Sequence, residues 1–183
     1  MHTIRRAQPD DLAAILALSN HYAATTAANF AVEPESLDAW QRSFEQTHNT
    51  HPWLVAIDDG GDAALIGFAK ASPWKGRCAY EFAAEVTVYV APNQHGRGIG
   101  RALYERLFEV LRAQGYRTLL GGITLPNDAS VRLHEAMGMH RAALFEQIGW
   151  KFGTWHDVGY WLINFAGDSP PPDGGIKRMG DVF

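Results

Sequence analysis

Residues 85–114 read EVTVYVAPNQHGRGIGRALYERLFEVLRAQ, and this stretch decides the fold. A β-rich run ends at a proline, glycines alternate at positions 96, 98 and 100, and apolar residues at helical spacing follow. The amides of a glycine-rich turn and of a helix's first residues lack partners, and together with the helix dipole they bind phosphate groups. The stretch therefore predicts a strand, an anion-binding bend and a helix, and Arg97 and Arg101 add positive charge at the bend.

Two nucleotide-binding motifs do not fit this bend. A P-loop needs Gly-Lys-Ser/Thr at its end, whereas the residues here are Gly100, Arg101 and Ala102. A Rossmann fingerprint needs G-x-G-x-x-G with an acidic residue about 20 positions onward, whereas the glycines here give G-x-G-x-G. We therefore reject both of these alternatives.

The composition is that of an ordinary globular domain. The 183 residues are enough for one domain with a sizeable core, and a formal net charge of −4 gives no reason to expect nucleic-acid binding. No apolar run approaches the roughly 18 residues of a membrane span, and the N-terminus lacks the apolar region of a secretory signal. The single cysteine, Cys78, excludes an internal disulfide and suits a reducing compartment, so we expect a cytoplasmic protein.

The patterns along the chain predict the element order β-α-α-β-β-β-α-β-α-β-β. This order implies an α/β single domain with a mixed, mostly antiparallel twisted sheet and helices on both faces. We place the domain at residues 1–166. Residues 167–183 are rich in Pro, Gly and Asp, and we expect a flexible or loosely docked tail there.

The bend resembles motif A of the GCN5-related N-acetyltransferases, in which a Q/R-x-x-G-x-G/A bend grips the pyrophosphate of acetyl-CoA. His95 stands where that family usually has Gln or Arg, and the match continues through Gly96, Arg97, Gly98, Ile99 and Gly100. A second family motif is echoed by Asn127, Ser130, Leu133, His134, Glu135, Gly138 and Met139. The resemblance implies the acetyltransferase fold and acetyl-CoA as cosubstrate. It also implies pairing of Val88, Tyr89 and Val90 with the pantetheine arm and contact of Asn127 with the CoA chain, although Asn127 also suits a helix N-cap.

Segments over residues 2–165 resemble the phosphinothricin N-acetyltransferases, a branch that includes enzymes acting on methionine sulfoximine and methionine sulfone. Among these segments are SPWKGRCAYEF and KFGTWHDVGYW. The resemblance implies direct acetyl transfer to the α-amine of a small L-amino-acid analogue. It further implies a homodimer and a role in antibiotic or herbicide resistance.

Two residues are the candidates for acid–base chemistry. An α-ammonium with a pKa of about 8 is mostly protonated at neutral pH, so transfer benefits from a base. By resemblance this base is Glu85, on the strand that leads to the bend. His134 stands where many family members have a proton-donating tyrosine, and its role as acid, base or CoA contact is left open. Both residues also have structural alternatives, an exposed strand carboxylate and a half-buried helix histidine.

The loop before this strand supplies candidate acceptor contacts. Lys75 and Arg77 would suit a carboxylate, phosphinate or sulfone-like group, and by resemblance their loop, with Gly76, reaches the acceptor site of this or the partner subunit. Phe30 and Trp74 are candidate apolar walls, although either residue could serve packing alone. No metal site is expected, because His134-Glu135 lacks the second histidine of H-E-x-x-H.

Two other functions remain open at this point. One is an acetyltransferase for a polyamine, an aminoglycoside or a protein N-terminus. Cationic or extended acceptors of this kind would favour an acidic pocket or an open groove, whereas the Lys75 and Arg77 pair favours an anionic acceptor. The other is a non-catalytic acetyl-CoA sensor, against which the presence of both Glu85 and His134 argues.

Overall fold

The computed structural model of the chain describes residues 1–60, 63–165, 167 and 169–183. Four α-helices are found within these residues, α1 (Leu12–Thr25), α2 (Leu37–Thr47), α3 (Ile99–Gln114) and α4 (Asp128–Ala136). Seven strands accompany them, β1 (His2–Arg6), β2 (Trp53–Asp58), β3 (Leu65–Pro73), β4 (Ala83–Val90), β5 (Thr118–Leu125), β6 (His140–Lys151) and β7 (Thr154–Asn164). The predicted order of elements is confirmed. The Gly60-Gly61 pair predicts a turn between these two strands, β2 and β3, and Gly61 lies outside the described residues.

The strands form one sheet in the order β1-β2-β3-β4-β5-β7-β6. Neighbouring strands are antiparallel except for β4 and β5, which run parallel. That parallel pairing joins only Ala83–Glu85 to Thr118–Leu120, although β4 continues to Val90 and β5 to Leu125. The two strands therefore separate beyond Glu85, and a gap opens within the sheet.

Helices cover both faces of the sheet, as predicted from the order of elements. On one face α3 packs Leu103, Leu107 and Leu111 into a cluster with sheet residues such as Ala69 and Leu119. On the other face α1 and α2 bury a second cluster, whose members include Leu12, Ile15, Trp40, Phe44, Trp53 and Phe68. Burial of these apolar side chains on two faces holds the sheet in place and so fixes the gap.

Helix α3 is bounded by glycines in the left-handed region. Gly98 precedes it with φ of 77°, and Gly115 ends it with φ of 103°. Such values disfavour residues with a Cβ atom, so glycine is required at both ends. Helical spacing predicts that Leu103, Leu107, Val110 and Leu111 share one apolar face, and all four are buried.

The end of the tail lies against the domain. The amide of Met179 donates to the carbonyl of Asn49 at 2.8 Å, and the Met179 side chain is fully buried. Gln114, at the end of α3, exchanges hydrogen bonds with the backbone of Lys177. Residue 166, where we placed the domain boundary, lies outside the described residues. The division into a domain and a flexible tail therefore stays a prediction.

Candidate active site

A cleft of about 420 Å³ occupies the gap between β4 and β5. Its floor and walls come from β4, β5, the loop after α1, the first turn of α3 and one side of α4. The lining includes Phe30, Glu85, Val88, Tyr89, Val90, His95, Gly100, Asn127 and His134. The cleft therefore brings together both predicted catalytic residues and most of the predicted cofactor contacts.

The glycine bend forms one end of this cleft. Gly96 and Gly98 both have φ of 77°, and a Cβ atom at either position would meet nothing within 4 Å. These two glycines are therefore needed for backbone conformation and not for packing. The amides of Ile99, Gly100 and Arg101 donate to no acceptor in the part of the chain that the structure describes. An unsatisfied helix N-terminus beside an open bend fits a pyrophosphate group.

The two arginines of the bend already have partners. Arg101 Nε donates to Oε1 of Glu105 at 2.8 Å, in an ion pair whose side chains are both more than half exposed. Arg97 donates to the side-chain oxygen of Gln94. The main attraction for an anion at this bend is therefore the backbone, and the arginines add an exposed, screened charge.

His95 joins the bend to α1. Its Nε2 lies 2.8 Å from the hydroxyl of Tyr22 and 3.1 Å from the carbonyl of Val90. Tyr22 also donates to that carbonyl at 2.7 Å, and its ring packs on Tyr89 with centroids 4.9 Å apart. His95 thus links the end of β4 to α1, which accounts locally for a histidine where the resembling family has Gln or Arg.

Glu85 lies where β4 and β5 separate, half-buried in the cleft. The hydroxyl of Tyr160, on β7, donates to its Oε1 at 3.2 Å. Burial raises the pKa of Glu85 above its usual value, while the Tyr160 hydrogen bond and the charges of Lys75 and Lys70 act in the opposite direction. A carboxylate with a raised pKa binds a proton more readily than an ordinary glutamate, which suits a general base.

One of these lysines is held by aromatic rings. The Lys70 ammonium lies 4.5 Å from the ring centroids of both Trp40 and Trp53. Lys70 is on β3, whose Ser72 pairs with Glu85, so the lysine and the glutamate side chains leave the sheet on the same face. Cation–π contacts therefore fix a positive charge on the face of the sheet that carries Glu85.

His134 is buried beneath the cleft, with 3% of its surface exposed. Its Nδ1 lies 2.8 Å from the carbonyl of Ser130, so Nδ1 carries the proton and donates there. Its Nε2, 3.2 Å from the hydroxyl of Tyr104, is then the acceptor of that hydroxyl. Burial lowers the pKa of His134, which favours the neutral ring.

Gly121 on β5 makes room for this histidine. A Cβ atom at Gly121 would lie 2.4 Å from Nε2 of His134, a distance too short for any side chain. The neighbouring α4 begins at Asn127, whose side chain accepts from the amide of Ser130 at 3.1 Å. Asn127 is therefore a helix N-cap and lines the cleft as well.

The predicted acceptor residues divide between two places. Phe30 lines the cleft, and Trp74 packs edge-on against Tyr160 with ring centroids 5.1 Å apart. The Lys75 ammonium lies over the Trp74 ring, 4.9 Å from its centroid. Lys75, Gly76 and Arg77 line a second cavity of about 600 Å³, beside Cys78 and the end of the tail, and are absent from the lining of the first cleft.

Three tyrosines at the site were not recognised as site residues from the sequence. Tyr104 has the spacing of a core residue and is indeed buried, yet its hydroxyl bonds to His134. Tyr22 and Tyr160 reach the cleft from α1 and β7, elements far from β4 in the chain. The sequence signals only a surplus of aromatic residues, and the pairing of β5 with β7 is what places Tyr160 beside Glu85.

The described residues contain no cluster of three or more His, Cys, Asp or Glu side chains arranged to hold a metal ion. In the same part of the chain, none of the helices combines the length and the apolar character needed to traverse a bilayer.

Known proteins resemble this chain in sequence and in fold. Residues 15–139 match the Acetyltransferase (GNAT) family. A phosphinothricin N-acetyltransferase of Streptomyces viridochromogenes is 41% identical over 92% of this chain and 90% of its own length. An L-methionine sulfoximine/L-methionine sulfone acetyltransferase of Salmonella typhimurium is 32% identical over 92% of this chain and 98% of its own. The crystal structure of a GNAT superfamily phosphinothricin acetyltransferase from Sinorhizobium meliloti, in complex with acetyl-CoA, superposes with a TM-score of 0.89 at 30% identity, covering 95% of both chains.

Proposed function

Because this chain belongs to the Acetyltransferase (GNAT) family and is an N-acetyltransferase, we propose that its acceptor is the α-amine of a small L-amino-acid analogue. The acceptor is of the phosphinothricin, methionine sulfoximine or methionine sulfone type, and the acetyl donor is acetyl-CoA. The names of the similar proteins support this choice of acceptor. The observation that carries the proposal is the position of Glu85, on the strand that runs into the glycine bend and inside the same cleft.

The cosubstrate would lie along the gap between β4 and β5. Its pyrophosphate meets the bend at residues 95–101, and its pantetheine arm runs beside Val88, Tyr89 and Val90. Successive amides of a strand point to opposite sides, and Val88 and Tyr89 pair with β3 on one side only. One of these two amides therefore faces the gap, where it can donate to the thioester oxygen and stabilise the oxyanion that develops there.

Glu85 takes a proton from the acceptor's ammonium in this proposal. The neutral amine then attacks the thioester carbon, and the carbon–sulfur bond breaks with its electron pair on sulfur. The nitrogen gives up its second proton, which neutralises the CoA thiolate, so the products are the amide and free CoA. Direct transfer of this kind needs no covalent enzyme intermediate. Cys78 lines the second cavity and not the cleft, which agrees with the absence of a thiol nucleophile among the cleft residues that the structure describes.

His134 and Tyr104 would assist departure of the thiolate together. Both nitrogens of His134 are engaged, one with Ser130 and one with Tyr104. Tyr104 is one of the residues that line the cleft, and its hydroxyl would turn from Nε2 to the sulfur, because a hydroxyl donates to one acceptor at a time. His134 then acts by holding that hydroxyl in place and not as a positively charged acid.

The anionic part of the acceptor is assigned to Lys75 and Arg77, with Phe30 and Trp74 as apolar walls. The Lys75 ammonium lies over Trp74, whose ring contacts the partner of Glu85, Tyr160. Arg77 and Gly76 border the second cavity, so this loop has to move, or to act on the site of a second subunit, for Arg77 to contact the acceptor.

A homodimer is part of the proposal. Large apolar side chains are exposed on β6 and β7, where Ile148, Trp150 and Trp155 are each more than half exposed. An exposed patch of this kind supports association with a second copy. Light scattering during size-exclusion chromatography tests the point: a dimer that Trp155→Glu dissociates supports it, and a monomer at micromolar concentration contradicts it. We also propose a cytoplasmic location and a role in antibiotic or herbicide resistance.

A thiol-release assay tests the proposed activity. Methionine sulfone, methionine sulfoximine and phosphinothricin are each offered with acetyl-CoA, and spermidine serves as a cationic comparison. Turnover of the amino-acid analogues in preference to spermidine is the expected result. Turnover of spermidine alone would overturn the acceptor class. Binding of CoA without turnover of any of these amines would overturn the proposal that this protein acetylates them.

A further inference from the structure

Lys151 is a buried lysine whose ammonium donates to three backbone carbonyls and lies 4.9 Å from the ring centroid of Phe152. It ends β6, and 6% of its surface is exposed. Its Nζ donates to the carbonyls of Ala23 at 2.6 Å, Thr26 at 3.1 Å and Asn29 at 2.5 Å. An ammonium has three N–H donors, so these three acceptors use all of them. None of the ion pairs of the described residues involves Lys151, and burial of an unpaired charge is costly, so this arrangement calls for an explanation.

The three carbonyls belong to one segment, residues 23–30, which leaves the end of α1 and forms a wall of the cleft. Ala23 is in the last turn of α1, where carbonyls lack helical partners and the dipole favours a cation. Thr26 and Asn29 follow the helix, and Asn29 and Phe30 line the cleft. One side chain from β6 therefore ties the helix end to the wall of the site.

Other contacts fix the same wall from both sides. The ring of Phe30 packs so closely on β6 that a Cβ atom at Gly149 would lie 2.2 Å from it. The hydroxyl of Tyr89 donates to the carbonyl of Ala28 at 3.3 Å. The backbone of Lys151 is itself held, because its carbonyl lies 3.1 Å from Nε2 of His156 on β7. Both the side chain and the backbone of Lys151 are thus held in place.

We propose that Lys151 is a positioning residue for the acceptor, because it holds residues 23–30 where Phe30 can form the acceptor wall beside Glu85. This inference rests on the proposed acetyl transfer and names a residue that sets acceptor affinity without touching the acceptor. Among the described residues, no hydrogen bond or ring contact joins Lys151 to the glycine bend at the acetyl-CoA end of the cleft. Loss of the ammonium should therefore weaken acceptor binding selectively.

The test compares Lys151→Met with wild type and with a matched control, Lys177→Met, whose side chain is exposed on the tail. Removing three charge-assisted hydrogen bonds should raise the acceptor KM about tenfold and leave the acetyl-CoA KM within about twofold. Lys177→Met should leave both constants unchanged. An unchanged acceptor KM in Lys151→Met, or an equal rise in both constants, would overturn the proposal.

Two further measurements keep the test decisive. Amide hydrogen exchange reports on the wall without any turnover: residues 26–31 should exchange faster in Lys151→Met than in wild type, and equal exchange would contradict the anchoring role. This readout is independent of whether the protein acetylates the amines tested. Lys151→Arg is the second variant, should Lys151→Met fail to fold. The guanidinium keeps the charge but cannot aim three donors from one nitrogen, so the acceptor KM should rise above the wild-type value by less than the roughly tenfold expected for Lys151→Met.

Discussion

The hydroxyl of Tyr160 on β7 donates to Oε1 of Glu85 on β4 at 3.2 Å, although these two strands do not pair with each other. Tyr160 is on β7 and faces Gly122 of β5, while Glu85 is on β4 at the last paired position. The bond stabilises the ionised carboxylate, and burial opposes ionisation. The proton affinity of the proposed base is therefore set by its burial, by this contact and by the charges of Lys75 and Lys70.

Tyr160→Phe should shift the pH dependence of catalysis. Loss of the hydrogen bond removes an interaction that favours the ionised form, so the pKa of Glu85 should rise further. The acid limb of kcat/KM, which reports ionisation of the base, should then move to higher pH. Steady-state rates measured from about pH 4 to about pH 9, which spans the ordinary carboxylate and α-amine pKa values of about 4 and about 8, check this. A limb that moves to lower pH would contradict the assignment.

Glu85→Gln should lower kcat by about 10²–10⁴-fold, the range for loss of a positioned general base. The amide is similar in size to the carboxylate, so the acetyl-CoA KM and the thermal midpoint should change little. Wild-type activity in the variant would remove Glu85 from the mechanism. Raising the pH increases the fraction of neutral amine, and so should recover part of the loss.

Gly121→Ala should disturb the histidine beneath the cleft. Its methyl group would lie 2.4 Å from Nε2 of His134, which breaks the contact with Tyr104. Overpacking of this kind costs about 1–3 kcal/mol of unfolding free energy. The same substitution made in a His134→Ala background should cost much less, because the clash is gone. Equal costs in both backgrounds, measured by denaturant unfolding, would refute the explanation.

Sequence reasoning found the scaffold of the site better than the contacts within it. The order of elements and the bend at Gly96–Gly100 follow from local patterns, namely strand and helix periodicity and glycine spacing. Tyr160 and Lys151 were missed because their partners are 75 and 122 or more residues away, across sheet pairings that no local pattern encodes. Tyr104 was assigned to the core alone, since helical spacing reports burial and not the direction of a hydroxyl.

Gly98→Ala should weaken acetyl-CoA binding through the backbone. An alanine at φ of 77° costs about 1–2 kcal/mol, although its methyl group would touch nothing. The bend should relax, its amides should lose their common direction, and the acetyl-CoA KM should rise several-fold with the acceptor KM unchanged. Gly180→Ala, at another open position but without a positive φ, is the control. Equal effects of the two substitutions on the acetyl-CoA KM would exclude a role for the bend.

His51 should make the protein less stable in acid. Burial lowers its pKa in the folded state to about 4, below the ordinary value of 6.5. The unfolded chain then binds the proton more readily, so the free energy of unfolding should fall as pH drops from about 6.5 towards about 4. His134, whose pKa is also lowered, acts in the same direction. Urea unfolding at pH 7 and pH 5 should show a smaller drop for His51→Gln than for wild type or for the exposed-site control His140→Gln.

The early end of pairing between β4 and β5 has a consequence for the protein in storage. Residues 86–90 and 121–125 face each other across the gap with backbone groups that pair on their outer sides only. The sheet therefore has two internal edges, and unpaired edges can recruit other extended chains. A cosubstrate lying along them would shield both, so CoA should slow aggregation at elevated temperature as well as support turnover. The shelf life of the purified protein and its affinity for CoA would then depend on the same few backbone groups.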